Sequence, residues 1–413
     1  MLKYYEVENF RSFKNKTTFS LELVNAGVLP ADYDFEGHRE LVGMQPGDVP
    51  VTYADSKALE KTNYKVLEET NTARGLLKGV LFVGANASGK SGALLPVKLL
   101  LDMLFGKAEI PFEMYHCLFS MNPAVSMRFV FDIKGSEIDY SIKYHNDGSA
   151  IHELLKVDGE TVLERENSYA KVSLTDQKEY TDIQLNTLFL REIYFNTRFR
   201  GHQVLQEWFS FLSASIYLDL YTRRASVYQA SGIELRKYLE EKGTDEINQF
   251  FEEYNFGQRV EYGMTSTGKV AAFFGEDKHI FMKRNGINEP ILLEMESTGT
   301  QNLLNLLPAF FHCTHKGGLL ILDEFSSGFH NDLEKLLIRY FMKYSTNAQM
   351  LFVTHSTNLL SSSILRPDQL YTVEFGEEGS RIKRFSDEKP REAQNMEKMY
   401  LGGVFGGLPR YEN

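Results

Sequence analysis

Eight residues, Gly84-Ala85-Asn86-Ala87-Ser88-Gly89-Lys90-Ser91, carry the spacing G-x-x-x-x-G-K-S. Glycines at that interval let successive backbone N–H groups turn toward one point, and a helix starting at the second adds the positive end of its dipole. Such a cradle fits a polyphosphate. Lys90 is expected to reach the β- and γ-phosphates of ATP and Ser91 to offer its hydroxyl to Mg²⁺, with Gly84, Asn86, Ser88, Gly89 and Gly92 shaping the turn. A second chemical pair follows far along the chain, where the apolar run Gly318-Leu319-Leu320-Ile321-Leu322 ends in Asp323-Glu324. One carboxylate there can hold a metal and its neighbour can polarise an attacking water, so Asp323 is the expected metal-organising residue and Glu324 the expected general base. Before it, Ser297-Thr298-Gly299-Thr300-Gln301 precedes the helix-like Asn302-Leu303-Leu304-Asn305-Leu306-Leu307, so Ser297 and the Gly299 amide stand at a helix N-terminus that welcomes an anion.

These groups need elements to hold them. The apolar run Gly79 to Val83 reads as a buried strand feeding the glycine loop, and a helix is expected from about Ser91 to Phe105. Residues 2 to 8 and 17 to 23 alternate as a hairpin, and 26 to 75 form a loop-rich excursion. Three β-type runs, 126–133, 138–144 and 151–157, are joined by Lys134-Gly135-Ser136 and Asn146-Asp147-Gly148, so an antiparallel meander is expected. Apolar residues then recur at helical spacing, as in Leu205, Trp208, Phe209 and Leu212, which predicts a helical insertion over 202–258 without sustained heptads. The last third returns to strand, helix (Leu333 to Tyr344) and strand (Met350 to Val353), with a terminal hairpin around Gly376 to Gly379. The expected organisation is an α/β chain with an N-terminal lobe (1–200), the insertion, and a C-terminal lobe (259–413). The tail Gly402 to Pro409 reads as a chain end, and Asp368 and Asp387 as solvated loop carboxylates.

Composition bounds the rest. With 413 residues, 43% of them hydrophobic, the chain can bury a large core. A net charge of −11 gives no global basic field to draw it onto nucleic acid. Arg198, Arg200, Arg223 and Arg224 could form a local patch, although a solvated helix face is the simpler reading. Cys117 and Cys313 are far apart, lack partner ligands at metal spacing and read as buried thiols of a reducing compartment. No run approaches the length of a bilayer span, so a cytoplasmic protein is expected.

Taken together, the glycine loop, Glu296 to Gln301, Leu322-Asp323-Glu324-Phe325, Ser326-Ser327-Gly328-Phe329-His330 and Thr354-His355-Ser356 resemble the ordered motifs of ABC-type ATPases. That resemblance implies an ABC-ATPase head with a P-loop mixed sheet. It also implies a signature loop (Ser297, Gly299, Gln301) that meets the γ-phosphate held by an opposite copy, a D-loop at 326–330, and a switch histidine at His355. The opening Asn9-Phe10-Arg11-Ser12-Phe13 is similar to the RecF and SMC branch, where residues after the first strand approach the phosphates, which makes Arg11 and Ser12 candidates. The Gln of the superfamily's Q-loop is not evident, and Asn196 is the nearest substitute. With the glycine-rich tail, the whole chain resembles the ATPases of bacterial anti-phage systems, such as those of the AbiL/RloAB abortive-infection pair and the PARIS system. The resemblance implies a head-to-tail ATP-sandwich dimer, a separate nuclease effector carrying a TOPRIM domain, and a phage protein or DNA as trigger. A RecF-like repair ATPase acting on DNA is the alternative.

Overall fold

The computed structural model describes residues 1–24, 75–174, 176–228, 232–264, 278–287, 289–391 and 394–408. The excursion at 26 to 75 falls outside them except for its last residue. In chain order the elements are β1 (Leu2–Glu8), β2 (Thr17–Ser20), β3 (Gly79–Val83), α1 (Lys90–Phe105), β4 (Ala124–Ile133), β5 (Ser136–His145), β6 (Ala150–Val157), β7 (Glu160–Glu166), β8 (Tyr169–Ser173) and β9 (Gln177–Tyr180). They continue with α2 (Phe189–Thr197), α3 (Gln203–Ser213), β10 (Ile216–Asp219), β11 (Arg224–Val227), α4 (Leu235–Lys242), α5 (Asp245–Glu253), β12 (Gln258–Gly263), β13 (His279–Arg284) and β14 (Ile291–Leu292). The last are α6 (Thr298–Lys316), β15 (Gly318–Asp323), α7 (Asn331–Tyr344), β16 (Ala348–Val353), β17 (Leu370–Gly376), β18 (Gly379–Arg384) and α8 (Met396–Leu401).

The described strands form two large sheets and a small antiparallel one, β12-β13-β14. Of the large two, an antiparallel sheet runs β2-β1-β4-β5-β6-β7-β8-β9, and a mixed one runs β11-β10-β15-β16-β3-β17-β18. In the mixed sheet β10, β15, β16, β3 and β17 are parallel neighbours, and the edges β11 and β18 are antiparallel. Buried parallel strands are covered on both faces and read as unbroken apolar runs, as β3, β15 and β16 do. Their side chains divide with period two. Val80, Phe82, Leu319, Ile321, Leu351 and Val353 enter one core with α1, α3 and the antiparallel sheet, whereas Leu81, Val83, Leu320, Leu322, Met350 and Phe352 enter another with α6 and α7.

The expected meander is present and longer than its three recognised runs, reaching six strands. Among its described residues the stretch 202–258 carries three helices but is not helical throughout. Ile216-Tyr217-Leu218-Asp219 is a strand paired in parallel with β15, because a short β-type apolar run between polar turns gains more from the mixed sheet than from a helix. The meander is pinned to α2 by a fully buried pair. Glu153 takes an Arg165 guanidinium N–H at 2.7 Å and also accepts the Phe189 and Leu190 amides at the start of α2. Both cysteines are free and buried.

Asp368 differs from expectation. It is buried, held by a two-pronged Arg366 contact at 2.9 Å and by the Val24 amide, so its charge is paired rather than solvated. The tail also differs. Phe405 is buried and stacks on Phe385 at 3.8 Å between centroids, and the Gly407 carbonyl accepts the Ala85 amide of the glycine loop at 2.7 Å. Burial of one aromatic ring outweighs the flexibility of the flanking glycines. Among the described residues no helix is long and apolar enough to cross a membrane.

Candidate nucleotide site

The glycine loop, the acidic pair and His355 leave the mixed sheet at one end, the C-terminal ends of its parallel strands, where ligands of open α/β sheets bind. Gly84 follows β3, Asp323 ends β15, and Thr354-His355 follow β16. Chain reversal within the glycine loop demands close approach. A Cβ on Gly84 would sit 2.3 Å from the Val373 carbonyl oxygen. One on Gly89, which has φ +104°, would meet the Ser380 and Ser12 hydroxyls at 2.4 and 2.6 Å. Gly89 is the N-cap of α1, has no side chain to offer, and no acidic residue occupies the first turn. The leading amides of α1 are therefore left for an external anion.

Residues around that opening fit a Mg·polyphosphate. The buried Ser88 hydroxyl has no partner among the described residues. Lys90, itself buried, turns back to donate to the Ala85 carbonyl at 2.7 Å, and its ammonium pKa is lowered, chiefly by burial, against the pull of Glu324 and Asp323. Ser91 Oγ donates to Asp323 Oδ1 at 2.9 Å. A hydroxyl beside one carboxylate is a hard-oxygen pair of the sort Mg²⁺ takes together with phosphate oxygens and waters. Burial raises the Asp323 pKa, Glu324 and Asp219 add to the rise, and the Ser91 and Tyr217 hydrogen bonds oppose it.

Glu324 adopts φ +54°, a left-handed conformation costly for an ordinary side chain. Its neighbours enforce it: the Glu324 amide donates to Asp323 Oδ1, and buried Phe325 donates to the Val353 carbonyl at 2.9 Å. That backbone sends the Glu324 carboxylate to 3.5 Å from His355 Nε2, with both side chains about two-fifths open to solvent. Strain held in place by packing at such a point is a mark of functional sites.

The remaining sequence candidates fall into two groups. Ser297 caps α6 by accepting the Thr300 amide and is exposed. Gly299 packs against the Gly328 carbonyl so closely that a Cβ on Gly299 would sit 2.3 Å from its oxygen, which makes the 326–330 loop and the start of α6 one unit in the same chain. Gln301 points inward to the Glu296 carbonyl at 2.8 Å and takes Arg223, which also bonds Asn302. Ser12 buttresses the back of the glycine loop through Ser380, whose hydroxyl donates to it at 2.7 Å. Exposed Arg11 stands beside the first turn of α1, its guanidinium on the Met114 carbonyl. Asn86 is exposed at the loop tip. Asn196 lies exposed on α2, whereas the strand beside β15 that finishes at this end of the sheet is β10. Sequence reasoning missed Tyr217, Ser380 and Gly407. Only Tyr217 carried a local signal, an apolar run ending in Asp that repeats the Leu322-Asp323 pattern.

Residues 80–361 match the family described as "AAA domain, putative AbiEii toxin, Type IV TA system". The chain belongs to this family. The match spans the glycine loop, Asp323-Glu324 and His355, so those motifs are parts of one AAA-type ATPase domain. No curated protein matches the chain. Among solved structures it is similar to an SMC head domain from Thermotoga maritima, at 14% identity and a TM-score of 0.43, covering 93% of this chain and 98% of that one. It is also similar to an SMC head bound to the C-terminal winged-helix domain of ScpA, at 13% identity and TM-score 0.45 over 92% and 96% of the two chains. A third similarity is to an SMC head with an extended coiled coil bound to the C-terminal domain of ScpA derived from Pyrococcus furiosus, at 11% identity and TM-score 0.45 over 98% and 99%.

Proposed function

We propose that the protein is an ABC-type ATPase that binds and hydrolyses Mg·ATP and serves as the sensor subunit of an anti-phage system, restraining or releasing a separate nuclease. The observation that carries the ATPase part is the single constellation of an uncapped α1 N-terminus, Ser91 on Asp323, and a strained Glu324 beside His355. In this reading Lys90 and the α1 amides hold the triphosphate, and Ser91 and Asp323 would hold Mg²⁺, which when bound would supply charge neutralisation at the phosphates. Glu324 accepts a proton from the attacking water, and His355 orients both the carboxylate and the γ-phosphate. Exposed Ser297 and the Gly299 amide complete the site of a second copy in a head-to-tail dimer, so bound ATP holds the dimer together and Glu324 sets its lifetime. The family's own description names a type IV toxin–antitoxin system, which supports a place in a two-component toxic system.

The test is a pull-down of tagged Glu324→Gln, expressed with its flanking genes and held in Mg·ATP. A stoichiometric second protein with nuclease-type acidic motifs is the expected result. Co-eluting DNA with no protein would favour the repair alternative. Exposed Arg198, Arg200 and Arg224 keep that alternative open, whereas Arg223 is engaged by Gln301 and Asn302. Salt-dependent DNA affinity lost on neutralising the exposed three would establish it.

A further inference from the structure

We infer that Tyr217 is a positioning residue for Asp323, holding Oδ2 so that Oδ1 stays turned toward Ser91; this rests on the ATPase reading above. The inference starts from the sheet. β10 lies parallel to β15 with Tyr217 opposite Ile321 and Asp219 opposite Asp323. Tyr217 and Asp323 therefore project from the same face two residues apart along neighbouring strands, a diagonal that an aromatic side chain can span. The phenol closes it, donating to Asp323 Oδ2 at 3.3 Å.

The two oxygens of Asp323 have different partners. Oδ1 takes Ser91 Oγ at 2.9 Å and the Glu324 amide at 3.1 Å, while Oδ2 takes the phenol. A carboxylate held on both sides keeps its plane fixed when the Ser91 hydroxyl turns to a metal. Tyr217 is itself fixed. Its ring is buried and lies under Lys98 of α1, whose ammonium is 5.3 Å from the ring centroid. Lys98 pairs with Asp102, and Asp102 accepts the Tyr228 hydroxyl at 2.8 Å. The helix carrying Lys90 and Ser91 thus sets the tyrosine that sets the metal carboxylate. A supporting shell of this kind governs metal affinity as well as the ligands do.

Tyr217→Phe keeps the ring and its packing and deletes only the hydroxyl. With ATP present, Mn²⁺ binding followed by electron paramagnetic resonance is expected to weaken about tenfold, the effect of a lost hydrogen bond to a charged group. The Mg²⁺ concentration giving half-maximal hydrolysis should rise by a similar factor. Affinity for ATP in EDTA should stay within about twofold of wild type, since nothing on the phosphate cradle changes. Equal Mn²⁺ affinity in variant and wild type overturns the inference and leaves the ATPase reading intact. An equally large loss of metal-free ATP affinity overturns it too, because the tyrosine would then act on the whole fold. Failure of the wild type to bind Mn²⁺ with ATP overturns the ATPase reading itself.

Discussion

The strain at Glu324 makes a prediction that separates its chemistry from its backbone. Glu324→Gln and Glu324→Asn both delete the carboxylate, and with it the repulsion that adds to the burial-driven rise of the Asp323 pKa. Only Asn also relaxes the backbone, because its short polar side chain tolerates φ +54° better than a longer one. An ordinary residue pays roughly 1–2 kcal/mol in the left-handed region. Asn should recover about half of that, or about 0.5–1 kcal/mol. Unfolding entropy of about 2.1 cal/mol/K per residue over 413 residues makes that a melting shift of only about 1 °C. Scanning calorimetry of the ligand-free proteins, run in parallel, resolves such a difference. Asn is expected to melt above Gln, while hydrolysis falls in both by about a hundredfold or more as a general base is lost. Equal melting temperatures, or Gln above Asn, would refute the claim that the fold holds Glu324 against its own preference. Unchanged turnover in both variants would refute its role as base.

Three further outcomes follow from the same geometry. Lys90→Ala should lower ATP affinity at least about a hundredfold by isothermal titration, because a buried ammonium facing the loop is lost. Asp323→Asn should raise the melting temperature of the ligand-free protein at pH 7. The folded-state pKa of Asp323 is raised, so its stabilising contribution is present at acid pH and lost as pH rises through that pKa, and the gain from Asn should shrink as pH falls toward about 4. Phe405→Ala should cost about 3–5 kcal/mol in urea denaturation and weaken ATP binding, since the ring anchors the segment whose Gly407 carbonyl holds the Ala85 amide.

What was legible in the sequence was local. The glycine loop is a spacing, and spacing alone commits its backbone to a cradle at the start of α1. The strand before it, the acidic pair closing β15 and the Ser297 cap of α6 are equally short-range patterns, and each stands at the element end its residues imply. Ile216 to Asp219 shows where that legibility ends. Four residues suit a strand, but their place inside the mixed sheet depends on β15, which follows far later in the chain.

The amino-acid sequence by itself determined the glycine loop and the acidic pair, the apolar strands and the order in which they occur, because backbone geometry and hydrophobic period act over a few residues. Tertiary structure alone decided that Tyr217 meets Asp323, that a buried Asp368 takes the Val24 amide, and that Gly407 closes on the glycine loop. Those contacts depend on which strands become neighbours and in what register. Such pairing is fixed by burying both faces of a shared sheet at once, a condition on the whole chain that no single segment records.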